Sequence, residues 1–530
     1  SSVETGQYDN AIELNAVQRA NPEMQKRVSN VIRAMSEAEE NPIVSIHDHG
    51  AGGHLNALSE LVEETGGLIH MDQLPVGDPT LSAKEIVGNE SQERMGIVIR
   101  EEDIEHIRQI ADRERAPFYV VGETTGDHRF VFEQTDGVKP IDLAMEDMFG
   151  KAPRTVMTDR TVEETYEDVT YDQTQLDEYV ERVLQLEAVA CKDWLTNKVD
   201  RSVTGKIARQ QCQGEIQLPL SDCGVVALDY RGRAGIATSI GHAPQAALAD
   251  PAAGSVLSIA EALTNIVWAP LSEGLDSVSL SANWMWPCKN EGEDARLYRA
   301  VEACSDFACS LGINIPTGKD SLSMTQKYGK DKVYSPGTVI ISAGAEVSDI
   351  RKVVSPVLRT GVDSMVYYID FSFDKLKLGG SAFAQSLDKI GKEVPTVQDS
   401  EYFANAFNAV QELINKELIL AGHDISAGGL INTKLEMNFA NTEGGLEVSL
   451  DEIPEKDLVK ILFSENPGIL IQVEKTDEVE KILKKAGVAF IRLARPCDER
   501  HLLIHKDGAD YQFFIDHLRD IWFESSYLLD

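Results

Sequence analysis

Residues 47–60 read HDHGAGGHLNALSE, and residues 423–436 read HDISAGGLINTKLE. Seven of the fourteen positions are identical at a constant offset of 376: His47/His423, Asp48/Asp424, Ala51/Ala427, Gly52/Gly428, Gly53/Gly429, Asn56/Asn432 and Glu60/Glu436. Each copy follows an apolar run (Pro42–Ile46 and Leu418–Ala421) and opens into helical spacing, with Leu55, Leu58 and Leu61 in one and Ile431, Leu435 and Met437 in the other. The pattern predicts strand, glycine turn, helix, twice. Downstream order repeats as well. Asn89-Glu90-Ser91-Gln92 precedes an expected strand at 96–100, a helix over EDIEHIRQIADRE and a strand at 118–122. Ser464-Glu465-Asn466-Pro467 precedes a strand at 468–473, a helix over DEVEKILKKAG and a strand at 489–493. A duplicated unit explains this order.

The intervening chain has two parts. Residues 161–190 hold nine acidic residues and one basic, Arg182, with Leu176, Val180, Val183 and Leu184 at helical spacing. This predicts an acidic connector ending in an amphipathic helix, read mainly as a solvated face. Residues 200–350 have mixed α/β character, with helices expected at 251–267 and 294–311 and strands at 225–230, 277–282 and 338–347. The second repeat is thus preceded by a domain of about 150 residues. The first is preceded by about 40 residues, so the chain is expected to be a fragment of a larger protein in which the whole unit was duplicated.

With 50 Lys+Arg against 87 Asp+Glu, the 530-residue chain carries a formal charge of −37. That balance disfavours non-specific nucleic-acid or anionic-membrane binding, although a small phosphate needs only a local site. Hydrophobic content of 42% fits a folded chain of several domains. The seven cysteines are scattered and contain no C-x-x-C, which fits a reducing, cytoplasmic location. None sits in a nucleophile turn. No membrane-spanning run or secretory signal is present in the sequence given.

The HD-x-x-A-G-G motif puts a carboxylate at a strand end, a glycine turn and a helix N-terminus together. That arrangement suits magnesium and phosphate; singly, it also suits an ordinary N-cap. Glu261 and Asn265 lie four apart on one helical face, and Asp222 precedes a strand. These oxygens could hold a hard cation or form a satisfied buried polar group. TGKDSLSM (317–324) fails the P-loop test, since Ile313 occupies the early glycine position and Asp320 follows Lys319. It remains readable as a phosphate-binding loop or a surface turn. His47 and His423 are read as packed or supporting histidines.

Together HDHGAGG, NESQERM (89–95), DRSVTG (200–205), AEALTNI (260–266), SANW (281–284), PTGKDSLSM and HDISAGG resemble the formylglycinamide ribonucleotide amidotransferases, or phosphoribosylformylglycinamidine synthases, in their large single-chain form. The resemblance covers essentially the whole chain. It implies a mixed α/β (α+β) fold: an aminoimidazole-ribonucleotide-synthetase-like, ferredoxin-like ATP-binding domain with two repeated α/β partner domains. The implied boundaries are 1–22 for the tail of a first ATP-binding domain, 23–150 for the first partner domain and 151–189 for the connector. The second ATP-binding domain then spans 190–350 and the second partner domain 351–530.

The implied activity is a carbon–nitrogen ligase of purine biosynthesis. It uses formylglycinamide ribonucleotide, glutamine and ATP, through an iminophosphate, with ammonia from a glutaminase domain lying outside this chain. No catalytic residue is certain, and the fragment is expected not to complete the reaction alone. Implied cofactors are Mg2+ and ATP/ADP. By the same resemblance Asp48 matches a magnesium ligand, and Gln18, Glu90, Ser91, Gln92, Lys319, Asp320 and Ser321 match substrate-contacting positions. Asp222, Glu261, Asn265 and Asp424 match magnesium ligands of an auxiliary nucleotide site, with Ser221 and Ser426 near the nucleotide. Loss of E-S-Q after Glu465 fits a site that binds without turnover. Alternatives are a structural Mg–ADP-binding module or another synthetase of the superfamily. A homodimer through the second ATP-binding domain is a further expectation.

Overall fold

The computed structural model describes residues 21–529 except 91–92, 152–153, 155, 163–164, 197–198, 200 and 203–204. Two compact units are defined, Ser1–Met157 and Thr158–Asp530.

In the first unit the strand Ile43–Asp48 pairs antiparallel with Met95–Ile99, setting His47 opposite Gly96 and Asp48 opposite Met95. A separate four-stranded sheet runs Gly122–Thr124, Gly67–His70, Arg129–Glu133, Ile141–Ala144. The helix Pro22–Ser36 starts on an Asn21 cap and buries Val31 and Met35 against Ile107, Ile110 and Ala111 of Ile104–Glu114. Leu58 and Val62 pack with Ile69, Phe130 and Phe132 in a second apolar cluster. The strand expected at 118–122 forms differently. Pairing begins only at Gly122, and Val121 contributes a single bond, from His70 N (2.8 Å), because residues 117–121 have no partner strand among the described residues.

The second unit contains two large sheets and two two-stranded ones. The first has six strands in the order Asn314–Ser321, Ser279–Met285, Thr338–Val347, Gly235–Gly241, Gly224–Ala227, Ile207–Arg209. Helices Pro251–Ile266 and Glu293–Leu311 form where expected, the former capped by Asp250 with Pro251 at its first turn. Strand Gly235–Gly241 alternates strictly between buried and exposed positions. One face is therefore covered, while Ile236 and Ile240 on the other stand 47% and 59% exposed.

The second sheet has seven strands in the order Ala421–Asp424, Gly468–Val473, Met365–Asp370, Ile491–Cys497, Gly445–Ser449, His501–Lys506, Ala509–Phe514. Both faces are covered at the strands Ala421–Asp424, Gly468–Val473 and Met365–Asp370. Tyr367, Ile369, Ile469 and Ile471 meet Phe403 and Phe407 of Ser400–Asn415 in one cluster. Val366 and Leu470 meet Leu435 and Trp522 in another. Burial on both sides explains why residues 468–473 read as a continuous apolar run rather than an alternating one. The connector helix Leu176–Leu184 is more than a solvated face: Leu176, Tyr179, Val180, Val183 and Leu184 are all buried in this second cluster.

Two contacts fix one sheet against the other. Gln411 donates to Val267 O (2.6 Å) and Ala269 O (3.0 Å) and accepts from Leu271 N (2.8 Å). Trp268 lies so close to Gly422 that a Cβ there would stand 2.1 Å from the indole. The residue before His423 must therefore be glycine, and the His-Asp strand is held directly on the end of the helix Pro251–Ile266.

One buried group runs against the pattern. Lys434 occupies the position equivalent to Leu58, is fully buried, and its Nζ has no hydrogen-bond partner. Burial lowers its pKa from 10.5 to about 7.

Candidate functional site

The duplication read from sequence is reproduced in three dimensions. Both strand–helix turns pass through left-handed glycines, with φ of 83° and 62° at Gly52 and Gly53 and 92° and 70° at Gly428 and Gly429. Helices Gly53–Leu61 and Gly429–Phe439 follow. In both copies the His Nε2 meets a Glu thirteen residues on: His47 with Glu60, and His423 with Glu436 at 3.0 Å. In both, the first glycine N–H is bonded by a distant Glu, Gly52 N to Glu90 Oε1 (3.2 Å) and Gly428 N to Glu465 Oε1 (2.8 Å).

The copies differ in exposure. The Asp48 side chain is 76% exposed, whereas that of Asp424 is 2% exposed. Around Asp424 the structure assembles a buried acidic cluster. Ligand atoms of Asp222, His423 and Asp424 all lie within 4.8 Å of one another. His423 Nδ1 stands 2.7 Å from Asp222 Oδ1 and 3.8 Å from Asp424 Oδ1. The shorter contact is out of line for a hydrogen bond, and Asp222 Oδ2 and Asp424 Oδ2 are buried without hydrogen-bond partners. Burial raises the Asp222 carboxyl, with His423 offsetting part of the rise. Burial, and then the charge of Asp222, push Asp424 well above the carboxylate range. Burial alone would lower His423, but Asp222 and Glu436 facing its two nitrogens raise it well above 6.5.

Glu261 and Asn265 lie on the helix Pro251–Ile266. Glu261 Oε2 accepts from His242 N (2.6 Å), and Asn265 Nδ2 donates to Ile240 O (3.0 Å), so both are turned to the end of strand Gly235–Gly241. Glu261 is close enough to raise both Asp424 and Glu465 electrostatically. Ser221 Oγ is buried without a partner, and Ser426 O accepts from Gly429 N (3.0 Å) inside the turn. A single histidine thus faces Asp222, Asp424 and Glu436 here, with two orphaned carboxylate oxygens. A hard divalent cation fits that deficit, since it takes carboxylate oxygens directly.

Glu465 accepts from Gly428 N and Ala382 N, both at 2.8 Å, tying the turn to the helix Ala382–Ser386. Burial nevertheless pushes it from 4.5 to about 7. A carboxyl raised on folding stabilises the protonated native state. Its contribution is complete below pH 4.5 and is lost as pH rises toward 7. Glu465→Gln is expected to flatten the fall in melting temperature over that window, measured in EDTA; an unchanged pH profile would contradict this assignment.

The other expected positions divide as follows. Gln18, Ser91 and Gln92 lie outside the described residues. Lys319, Asp320 and Ser321 belong to the second unit and correct the loop reading of 317–324. They sit on the edge strand Asn314–Ser321, paired in parallel with Ser279–Met285, with Lys319 Nζ bonded to Ser321 Oγ (2.7 Å). Backbone pairing to a neighbour, rather than side-chain alternation, makes this polar stretch a strand. His423, Glu436 and Glu465 were not expected as site residues. The signal available was the His and Glu shared by both fourteen-residue copies. All seven cysteines are free, and no helix among the described residues is long and apolar enough to cross a membrane.

The first unit has a distinct polar arrangement beside Asp48. Arg94 Nη1 lies 3.0 Å from His54 Nε2, His54 Nδ1 lies 3.1 Å from His49 Nε2, and Arg94 Nη2 donates to Asn89 Oδ1 (2.7 Å). Burial, then Arg94, lowers His49 to about 4 and His54 to about 3, so both rings are neutral.

Comparison with known proteins gives this arrangement a class. The profile of the AIR synthase related protein, C-terminal domain, matches residues 1–134 and again 366–501, half of the chain in two copies. The profile of the FGAR-AT PurM_N-like domain matches residues 191–346 between them. The chain belongs to the AIR synthase related family. Within it, the chain is 37% identical over its whole length to the human phosphoribosylformylglycinamidine synthase, of which it covers 41%. It is 38% identical, again over its whole length, to the probable chloroplastic/mitochondrial phosphoribosylformylglycinamidine synthase of Arabidopsis thaliana, of which it covers 39%. It therefore spans about two fifths of the length of these curated relatives. Among solved structures, the fold matches Thermotoga maritima PurL complexed with ADP (TM-score 0.62, 18% identity, 90% of this chain and 68% of that one). It also matches PurLQS from the same organism (TM-score 0.63, 17% identity, 93% and 70%).

Proposed function

We propose that the chain is a part of the synthetase region of a phosphoribosylformylglycinamidine synthase. That enzyme would convert formylglycinamide ribonucleotide, glutamine and ATP to the amidine in purine biosynthesis. The observation that carries the local reading is the buried Asp222–His423–Asp424 cluster with its two unpartnered carboxylate oxygens. Asp222 and Asp424, with Glu261 and Asn265 beside them, would hold magnesium, and Ser221 and Ser426 would flank the nucleotide. Bound magnesium would neutralise the phosphate oxygens of ADP or ATP. His423, bonded by Glu436 on its far nitrogen, orients Asp222. T. maritima PurL, whose fold this chain matches, forms complexes with ADP, ATP and FGAR.

In the first unit Asp48 would serve as a magnesium ligand, and Gln18, Glu90, Ser91 and Gln92 would meet the substrate. Lys319, Asp320 and Ser321, on the exposed edge strand of the second unit, would also contact substrate. The proposed chemistry phosphorylates an amide oxygen and then displaces phosphate with ammonia, supplied by a glutaminase domain. Such a reaction depends on positioning and charge neutralisation. The uncovered sheet face bearing Ile236 and Ile240 would pair with a second ATP-binding domain, of this chain or of another copy. The free thiols suit a reducing compartment such as the cytoplasm.

Melting the chain with ADP tests the reading of the second unit. The transition is expected to rise when ADP and Mg2+ are both present and to stay fixed with either alone. A transition indifferent to the pair would overturn it.

A further inference from the structure

We propose that His54, acting through Arg94 and Asn89, is a positioning residue that holds Glu90 against the turn carrying Asp48. The inference rests on the reading of Glu90 as part of the substrate site.

The hydrogen-bond directions follow from one fact. A guanidinium only donates, so His54 Nε2, 3.0 Å from Arg94 Nη1, must accept. The proton of the neutral His54 ring is then on Nδ1, which donates to His49 Nε2 at 3.1 Å. At the other end Arg94 Nη2 grips Asn89 Oδ1, next to Glu90. The backbone closes the ring, with His49 N donating to Arg94 O (3.1 Å) and Gly52 N to Glu90 Oε1 (3.2 Å). Asn89 also lies against Gly53, where a Cβ would stand 2.5 Å from its carbonyl oxygen. His49, His54, Arg94 and Asn89 thus form a polar chain from the turn to the segment of Glu90, and the Glu90 carboxylate closes it on Gly52 N.

The internal repeat supplies an independent comparison. At the positions of His49 and His54 the second copy has Ile425 and Leu430, both buried. Residues 464–473 contain no basic residue, and Glu465 is held instead by two backbone N–H groups. The same turn therefore folds without the relay. The relay occurs in the copy that retains E-S-Q and is missing from the copy that does not.

This comparison also supplies the test variants. His54→Leu installs the residue the second copy uses, whereas His54→Gln keeps an acceptor for Arg94. Amide exchange by NMR reads the Gly52 N–H, with the helix Ile104–Glu114 as internal reference. His54→Leu is expected to speed Gly52 exchange about 10-fold while the reference helix is unchanged, and His54→Gln to restore protection. In parallel, His54→Leu should weaken binding of formylglycinamide ribonucleotide about 10-fold or more, again with recovery in His54→Gln. Unchanged Gly52 exchange in His54→Leu, or equal losses in both variants, overturns the inference. If the unaltered chain does not bind the ribonucleotide, the substrate reading of Glu90 fails, and the exchange data still decide whether His54 holds the turn.

Discussion

Asp424→Asn is expected to abolish the magnesium-dependent response to ADP and, at the same time, to raise the melting temperature of the ligand-free chain. The two effects share one cause. Asp424 is buried beside Asp222, its Oδ2 has no partner, and burial and the Asp222 charge drive its pKa well above the ordinary range. Without a cation that arrangement is a liability, and the neutral amide relieves it by about 1–3 kcal/mol. With a cation, the same oxygens are ligands. Their loss should weaken Mg–ADP binding at least ~100-fold, or about 2.7 kcal/mol. A site selected for binding rather than stability shows this opposition. Scanning calorimetry with and without Mg–ADP measures both. A variant that loses stability and keeps the ligand response would remove Asp424 from the site.

Lys434→Met should stabilise the second unit more than any surface change. The amine is fully buried, makes no hydrogen bond and titrates near 7 rather than 10.5. Keeping it neutral in the folded state costs roughly 5 kcal/mol at pH 7 relative to an exposed lysine, as an upper bound. Because the folded pKa is depressed, the unfolded chain binds the extra proton between pH 7 and 10.5, so stability rises with pH across that window. The gain from Lys434→Met should therefore be largest at or below pH 7 and shrink toward pH 10.5. Urea titrations of both proteins at pH 7 and 10 check this, and a difference independent of pH would show that Lys434 is not a buried amine. The first copy already places Leu58 at this position, so the helix accepts an apolar side chain there.

The two fourteen-residue copies carried most of what sequence could reveal. Their shared His-Asp and Ala-Gly-Gly predict the strand–turn–helix seen at 43–61 and 421–439, because left-handed glycines and a strand-end aspartate are local requirements. The helix from Pro251 was legible for the same reason, through its proline start and apolar length. What was not legible depended on partners far along the chain. Asn314–Ser321 has no apolar alternation and becomes a strand only by pairing with Ser279–Met285. Residues 118–121 have strand composition, but among the described residues they have no partner strand beyond the single bond of Val121 to His70. Asp222 reaches His423 across 201 positions, and that contact puts a histidine read as packed or supporting at the centre of the acidic cluster. Glu465, noted in the sequence for what its segment lacks, proved to bond two backbone N–H groups at once.

Manganese replaces magnesium in oxygen-ligand sites and is visible by electron paramagnetic resonance. Titrating Mn2+ into the chain with ADP present, and into the Asp222→Asn and Asp424→Asn variants, tests the central claim most directly. The account predicts one tightly held Mn2+ per chain that requires ADP and disappears in both variants. Equal Mn2+ retention by the variants and the unaltered chain would contradict it.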